Sequence, residues 1–255
     1  MDTKSEVVVR DNPKLLAQAG ADIFLHTARS AVKEMGRFAV AVSGGSTPRP
    51  MHRMLASKPY GSEVPWNKTS FFWVDERCVP VTDDSSNYGA ARSDLLAKIS
   101  IPPVQIHPMP AEMPPGDGAV EYQRVLSDFF QSGGGQFPIF DLIYLGIGAD
   151  GHTASLFPGQ KALRETKRWV VAVKGGIPNV DRLTLTFPIL NRARQIVILV
   201  SGKGKAAILK TLFEDKERLL PAGKIKPLKG RLIWLVDQDA AAGLPKELIY
   251  GNEQR

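Results

Sequence analysis

Several short apolar runs, each followed by a segment rich in glycine or charge, constrain this chain more than any other feature. Phe38–Val42, Ser70–Val74, Phe140–Leu145, Ile196–Val200 and Leu232–Val236 are too short for buried helices and show no in–out alternation. Strands buried on both faces read this way, and they belong to parallel sheets covered by helices. Trp169–Val173 and Leu183–Phe187 are predicted as further strands of the same sheet. Helical segments lie between them. Asn12-Pro13 opens the first, with Leu16, Ile23, Phe24, Ala28, Ala31 and Met35 at helical spacing and Gly36 as its stop. Pro48–Ser57, Asn87–Ile99 and Ala119–Phe130 supply others, and Ser201–Lys205 precedes one reaching Phe213. The expected class is therefore α/β, with a mostly parallel sheet. In such sheets ligands bind beyond the carboxyl ends of the strands. The polar segments all lie at those ends, so they are expected to converge on one site.

With 255 residues the chain is expected to form a single domain, 1–255. Gly133–Gly135 reads as a flexible connection, and the Pro-rich segment 102–118 as a loop and candidate lid. The single Cys78 excludes an internal disulfide framework and a multi-cysteine zinc site, and fits a reducing compartment. No run approaches the ~20 apolar residues that span a bilayer. The start of the chain is polar and its last five residues carry no lipidation signal, so a cytoplasmic protein is expected. A net charge of +7 favours anionic partners such as phosphorylated metabolites. The basic residues are scattered, apart from a local concentration at 224–231. They form no aromatic-interleaved stripe, which argues against nucleic acid as a partner.

Ser43-Gly44-Gly45-Ser46-Thr47 sits between a strand and a helix. Its glycines let backbone amides approach an anion, and its hydroxyls add hydrogen bonds. The same residues also suit a plain tight turn. Lys205, after Ser201-Gly202, is either a point charge for phosphate or a solvated lysine. Arg182 is a second candidate cation, with a fork that suits phosphate. Asp75-Glu76-Arg77 follows an apolar strand. It is either an exit to solvent or a place where Arg77 stabilises a developing oxyanion while Asp75 orients a neighbour or acts as a base.

Gly146-Ile147-Gly148-Ala149-Asp150-Gly151-His152 is the most informative stretch. It places an imidazole beyond a central strand, where a general base for chemistry near neutral pH belongs. Asp150 is the candidate for holding its tautomer or binding substrate. His26, His52 and His107 are read as structural or surface residues. There is no HxH, HExxH or Cys/His cluster, so no essential metal is expected, and no Gly-x-Ser-x-Gly elbow supports a serine nucleophile. Water is the expected nucleophile.

Ala41–Pro48, Phe72–Arg77, Ser86-Asn87-Tyr88 and Leu145–Pro158, in that order, resemble the 6-phosphogluconolactonases of the glucosamine/galactosamine-6-phosphate isomerase superfamily. The resemblance implies a Rossmann-like three-layer αβα sandwich and hydrolysis of 6-phospho-D-glucono-1,5-lactone to 6-phosphogluconate in the oxidative pentose phosphate pathway. It implies no cofactor. The partner expected is the sugar-phosphate lactone, with no nucleic acid and no membrane, in a monomer or weak homo-oligomer. In the mechanism expected from these readings, the 43–47 loop, Arg182 and Lys205 hold phosphate, His152 activates water and Arg77 faces the oxyanion. The related deaminases resemble the chain in the same glycine–histidine loop. They carry an acidic residue at the place of Phe157 and a tyrosine at that of Arg77, so both positions favour the lactonase. A glucosamine-6-phosphate deaminase-like isomerase is the first alternative, and a non-catalytic sugar-phosphate sensor the second.

Overall fold

A computed structural model describes residues 4–132, 136–214, 220–245 and 248. The Gly133–Gly135 connection lies outside the described residues, as do the two ends of the chain. The strands are β1 (Lys4–Arg10), β2 (Phe38–Val42), β3 (Thr69–Trp73), β4 (Asp75–Arg77), β5 (Ile106–His107), β6 (Leu142–Leu145), β7 (Val170–Gly175), β8 (Val180–Leu185), β9 (Gln195–Val200) and β10 (Arg231–Asp237). The helices are α1 (Pro13–Met35), α2 (Arg49–Leu55), α3 (Tyr60–Glu63), α4 (Asn87–Asp94), α5 (Pro115–Phe130), α6 (Phe187–Leu190), α7 (Ala206–Glu214) and α8 (Gln238–Ala241). None of them is long and apolar enough to cross a membrane.

Seven strands form one sheet in the order β1-β10-β9-β6-β2-β3-β5. Every pairing in it is parallel. All five residues of β2 and of β3, and all four of β6, are buried, as expected for central strands covered on both faces. Helix α1 begins as its residues dictate. The Asn12 side chain accepts from the Leu15 N–H at 3.0 Å, and Gly36 ends the helix at φ 73°. Its Leu16, Phe24 and Ala28 bury one face, with Phe24 edge-on to Phe38 at 5.3 Å between centroids.

The order of strands decides where a ligand can sit. From β2 the chain moves outward through β3 to β5; from β6 it moves the other way through β9 to β10. The direction reverses between β2 and β6, which lie side by side. Loops leaving adjacent strands in opposite directions open a crevice between them. The two loops at that switch point are the glycine turn at 43–47 and the loop at 146–152.

Two expectations need correction. The runs near 170 and 183 do not join the large sheet. They form β7 and β8 of a separate antiparallel sheet, order β4-β8-β7, with Asp75–Arg77 as its third strand. Glycine-containing residues 175–176 let β7 and β8 pair as a hairpin, which a parallel sheet with its long crossovers does not allow. The triplet Asp75–Arg77 is thus a strand and not an exit to solvent; Asp75 and Glu76 are buried. Segment 102–118, read as loop, contains the edge strand β5 and the first turn of α5. There the His107 ring stacks on Phe72 at 4.4 Å. Val7–Val9, outside the runs predicted as strands, belong to the edge strand β1.

Candidate active site

The large sheet contributes two loops to one cleft of about 240 Å³. Ser43, Gly44, Gly45, Ser46 and Thr47 form one wall. The Ser43 N–H donates to the Tyr144 carbonyl at 3.1 Å, which stitches this turn to the end of β6. Gly45 has φ 91°, and a Cβ on Gly44 would overlap the Oδ1 of Asn87. Gly45 therefore needs glycine for its backbone conformation, and Gly44 for the space that the Asn87 side chain fills.

The loop after β6 supplies the opposite wall. His152 lines the cleft, and its Nδ1 lies 2.5 Å from Asp150 Oδ1. The same carboxylate oxygen accepts the His152 N–H at 3.1 Å. Nδ1 is thereby the protonated nitrogen of the neutral ring, and Nε2 is left to meet a substrate. Partial burial works against the Asp150 anion, but the hydrogen bonds and charge of His152 outweigh it and hold this carboxyl below the usual range. Gly148 has no room for a Cβ, because the imidazole occupies that space. Thr153 Oγ1 bonds the Gly146 carbonyl at 2.9 Å, and Ala154 takes φ 48° to turn the chain back. Lys205 stands beside this loop, its Nζ donating to the Ile147 carbonyl at 2.7 Å. Burial lowers its pKa, and Asp150 nearby opposes that.

The small sheet closes the cleft. Asp75 and Arg77 lie on the same side of β4, since alternate residues of a strand share a face. Both Asp75 oxygens are held: Ser155 Oγ donates to one at 2.6 Å and Asn87 Nδ2 to the other at 3.2 Å. Arg77 Nη1 donates to the Ser85 carbonyl, while its Nε is buried with no protein partner among the described residues. Such an unmatched donor typically costs ~1–3 kcal/mol. Arg182 is directly opposite Arg77 in the β4–β8 ladder. Its Nε and Nη2 donate to the carbonyls of Gly175 and Pro178 at 2.7 and 3.1 Å. Burial lowers its pKa, and the neighbouring Arg77 adds to that. Like charges facing each other across a ladder are unfavourable unless something anionic lies between or beside them.

All but one of the residues singled out from sequence line this cleft; Asp150 stands behind His152 and touches it. Sequence reasoning did not single out Asn87 and Ala154, which also line it, nor Glu76 and Ser155, which hold lining residues in place. Ser86-Asn87-Tyr88 was visible as a motif, but nothing local showed that Asn87 reaches Asp75, twelve positions away. None of the lining residues comes from segment 102–118.

The sequence family of glucosamine-6-phosphate isomerases/6-phosphogluconolactonase matches residues 11–234. The chain belongs to this family. It is 42% identical over 243 residues to a 6-phosphogluconolactonase of Synechocystis sp., covering 94% of this chain and 98% of the relative. Against the 6-phosphogluconolactonase of Rattus norvegicus it is 39% identical over 243 residues, 92% of each. The solved structure of 6-phosphogluconolactonase from Trypanosoma cruzi superposes with a TM-score of 0.85 at 27% identity, covering 96% of this chain and 98% of that one.

Family membership alone spans both lactonases and isomerases, so the ring beside the histidine matters. Phe157, where the resemblance puts an acid in the deaminases, lies with its centroid 4.6 Å from that of His152. The Arg182 guanidinium sits 5.6 Å from the same ring. An apolar ring thus stands beside the imidazole, and Asp150 is the carboxylate that contacts His152 among the described residues.

Proposed function

We propose that this protein hydrolyses 6-phospho-D-glucono-1,5-lactone to 6-phospho-D-gluconate, the ring-opening step of the oxidative pentose phosphate pathway. The observation that carries the reading is the Asp150–His152 pair at the switch point, backed by Phe157 instead of an acid. The relatives named above support it, since each is called a 6-phosphogluconolactonase.

In this reading the amides and hydroxyls of residues 43–47 and the Lys205 ammonium hold the phosphate, and Arg182 adds to the positive field of the cleft. The lactone carbonyl then lies near His152 and Arg77. His152 Nε2 accepts a proton from water as the water oxygen bonds to the carbonyl carbon. Arg77, whose side chain lines the cleft, stabilises the oxyanion that forms. The tetrahedral intermediate collapses with cleavage of the bond to the ring oxygen, which takes the proton back from His152. Asp150 favours the imidazolium between the two transfers. Asp75, with both oxygens engaged by Ser155 and Asn87, is a fixed acceptor for sugar hydroxyls rather than the proton carrier.

The test is to generate the lactone in situ and follow ring opening against its spontaneous rate. Acceleration proportional to enzyme concentration is the expected result. Ammonia release from glucosamine 6-phosphate without lactone hydrolysis would replace this reading with the isomerase one.

A further inference from the structure

Glu76 is buried, with 2% of its surface exposed, and no cation pairs with it among the described residues. Instead its carboxylate gathers backbone donors. One oxygen accepts the N–H of Arg77 and of Asn87, each at 2.7 Å; the other accepts the N–H of Tyr88 at 2.6 Å. Ser86 Oγ is 3.4 Å from that second oxygen. Asn87 and Tyr88 are the first two residues of α4, whose N-terminal amides have no partner within the helix. A carboxylate on a strand thus caps a helix that starts eleven residues later in the chain. Burial pushes the Glu76 carboxyl up, as does Asp75, and the three amides pull it down.

The consequence appears on the other side of the strand. With the start of α4 pinned, the Asn87 side chain is driven into the cleft, over Gly44. There Nδ2 bonds both the backbone carbonyl of Asp75 at 2.8 Å and its carboxylate at 3.2 Å. Gly44 has no Cβ because Asn87 Oδ1 occupies that position. Asn87 therefore touches both the glycine turn of the large sheet and the Asp75 end of the small one. With both Nδ2 hydrogens turned to Asp75, its Oδ1 remains as the acceptor that can meet a sugar hydroxyl.

We propose that Asn87 is a substrate-contacting residue that orients the sugar hydroxyls between the two sheets, and that Glu76 is its positioning residue, acting through the N-terminus of α4. This deepens the lactonase reading and rests on it. Turnover of the lactone by the wild-type protein decides that reading; the comparison of variants with wild type decides this one.

The experiment is a double-mutant cycle on kcat/KM with melting temperature recorded in parallel. Asn87→Ala is expected to lower kcat/KM roughly tenfold, the order of one charged or polar hydrogen bond. Glu76→Gln keeps the size of the side chain and loses the second anionic acceptor. It is expected to lower kcat/KM of the folded protein about as much as Asn87→Ala does. In the Asn87→Ala background the same change is expected to cost less than about twofold, because the residue through which it acts is gone. Additive losses, or a Glu76→Gln protein that only melts earlier while kcat/KM stays within about twofold of wild type, would overturn the proposal. Should Glu76→Gln not fold, Glu76→Asp enters the same cycle, retaining the charge but drawing it back by one methylene. A crystal structure of the Glu76 variant in which Asn87 keeps both bonds to Asp75 would also overturn it, whatever the substrate proves to be.

Discussion

The large and small sheets supply different kinds of chemistry to the same cleft. From the parallel sheet come loops: a glycine turn offering backbone amides, and a histidine whose side chain is 28% exposed. From the antiparallel sheet come charges on regular strands: Asp75, Arg77 and Arg182 at fixed register positions, with Asp75 and Arg182 nearly inaccessible. A proton carrier has to meet water and substrate, and a loop end allows that. Two arginines facing each other have to be held at fixed positions, and a hydrogen-bonded ladder does that, with Asp75 and Glu76 favouring the Arg182 cation. Loops beyond strand ends thus carry the groups that react, while strands carry the groups that must not move.

Four measurements break or sharpen this contrast. His152→Ala on the loop side is expected to lower kcat by ~100- to 10,000-fold, the usual contribution of a general base; steady-state kinetics with wild-type activity would remove His152 from the reaction. On the strand side, Arg77→Ala is expected to lower kcat by ~100- to 1,000-fold with a smaller change in KM, as for loss of an oxyanion donor. A rise in KM alone would move Arg77 from the carbonyl to the phosphate. Lys205→Ala is expected to raise KM by roughly ten- to a hundredfold with kcat little changed, since it removes binding common to ground and transition states. An unaltered KM would leave the glycine turn as the sole phosphate holder.

The smallest effect concerns an imidazole outside the cleft. His52, in α2, is 3% exposed with an unpartnered Nε2, and burial takes its pKa from 6.5 down to about 4. Asp94 opposes that shift, while Arg49 and Arg53 add to it. The unfolded chain therefore binds a proton at higher pH than the folded one. Stability due to neutral His52 is complete above pH 6.5 and is lost as pH falls toward 4, by at most ~1.4 kcal/mol per unit. Chemical denaturation across this window is expected to show that slope in the wild type and a flatter one in His52→Leu. Equal slopes would place the acid sensitivity elsewhere, with the buried carboxylates as the next place to look.

How far the sequence could be read depended on whether the decisive contacts were local. The central strands, the capped start of α1 and its glycine stop all follow from neighbours within a few positions. So does the Asp150–His152 pair, two residues apart in a glycine loop. The small sheet does not. The runs at β7 and β8 read as central strands and β4 as a charged triplet, and which sheet a strand joins depends on partners about a hundred positions away, as Asp75 with Thr184. Glu76 is the clearest case. Between Asp75 and Arg77 it looks like one more surface charge, and only the return of the chain at 86–88 adds the amides of Asn87 and Tyr88 to that of Arg77.

Residue type and spacing alone establish the alternating architecture, the glycine turn, the candidate base and a family resemblance. These are statements about short stretches, where sterics and hydrogen bonding act between near neighbours. That the turn and the base face each other across one cleft is a property of strand order, since only the reversal between β2 and β6 makes their loops diverge around a common space. The pairing of Arg77 with Arg182 and the seat of Asn87 over Gly44 are likewise set by packing between distant segments. No run of adjacent residues encodes them.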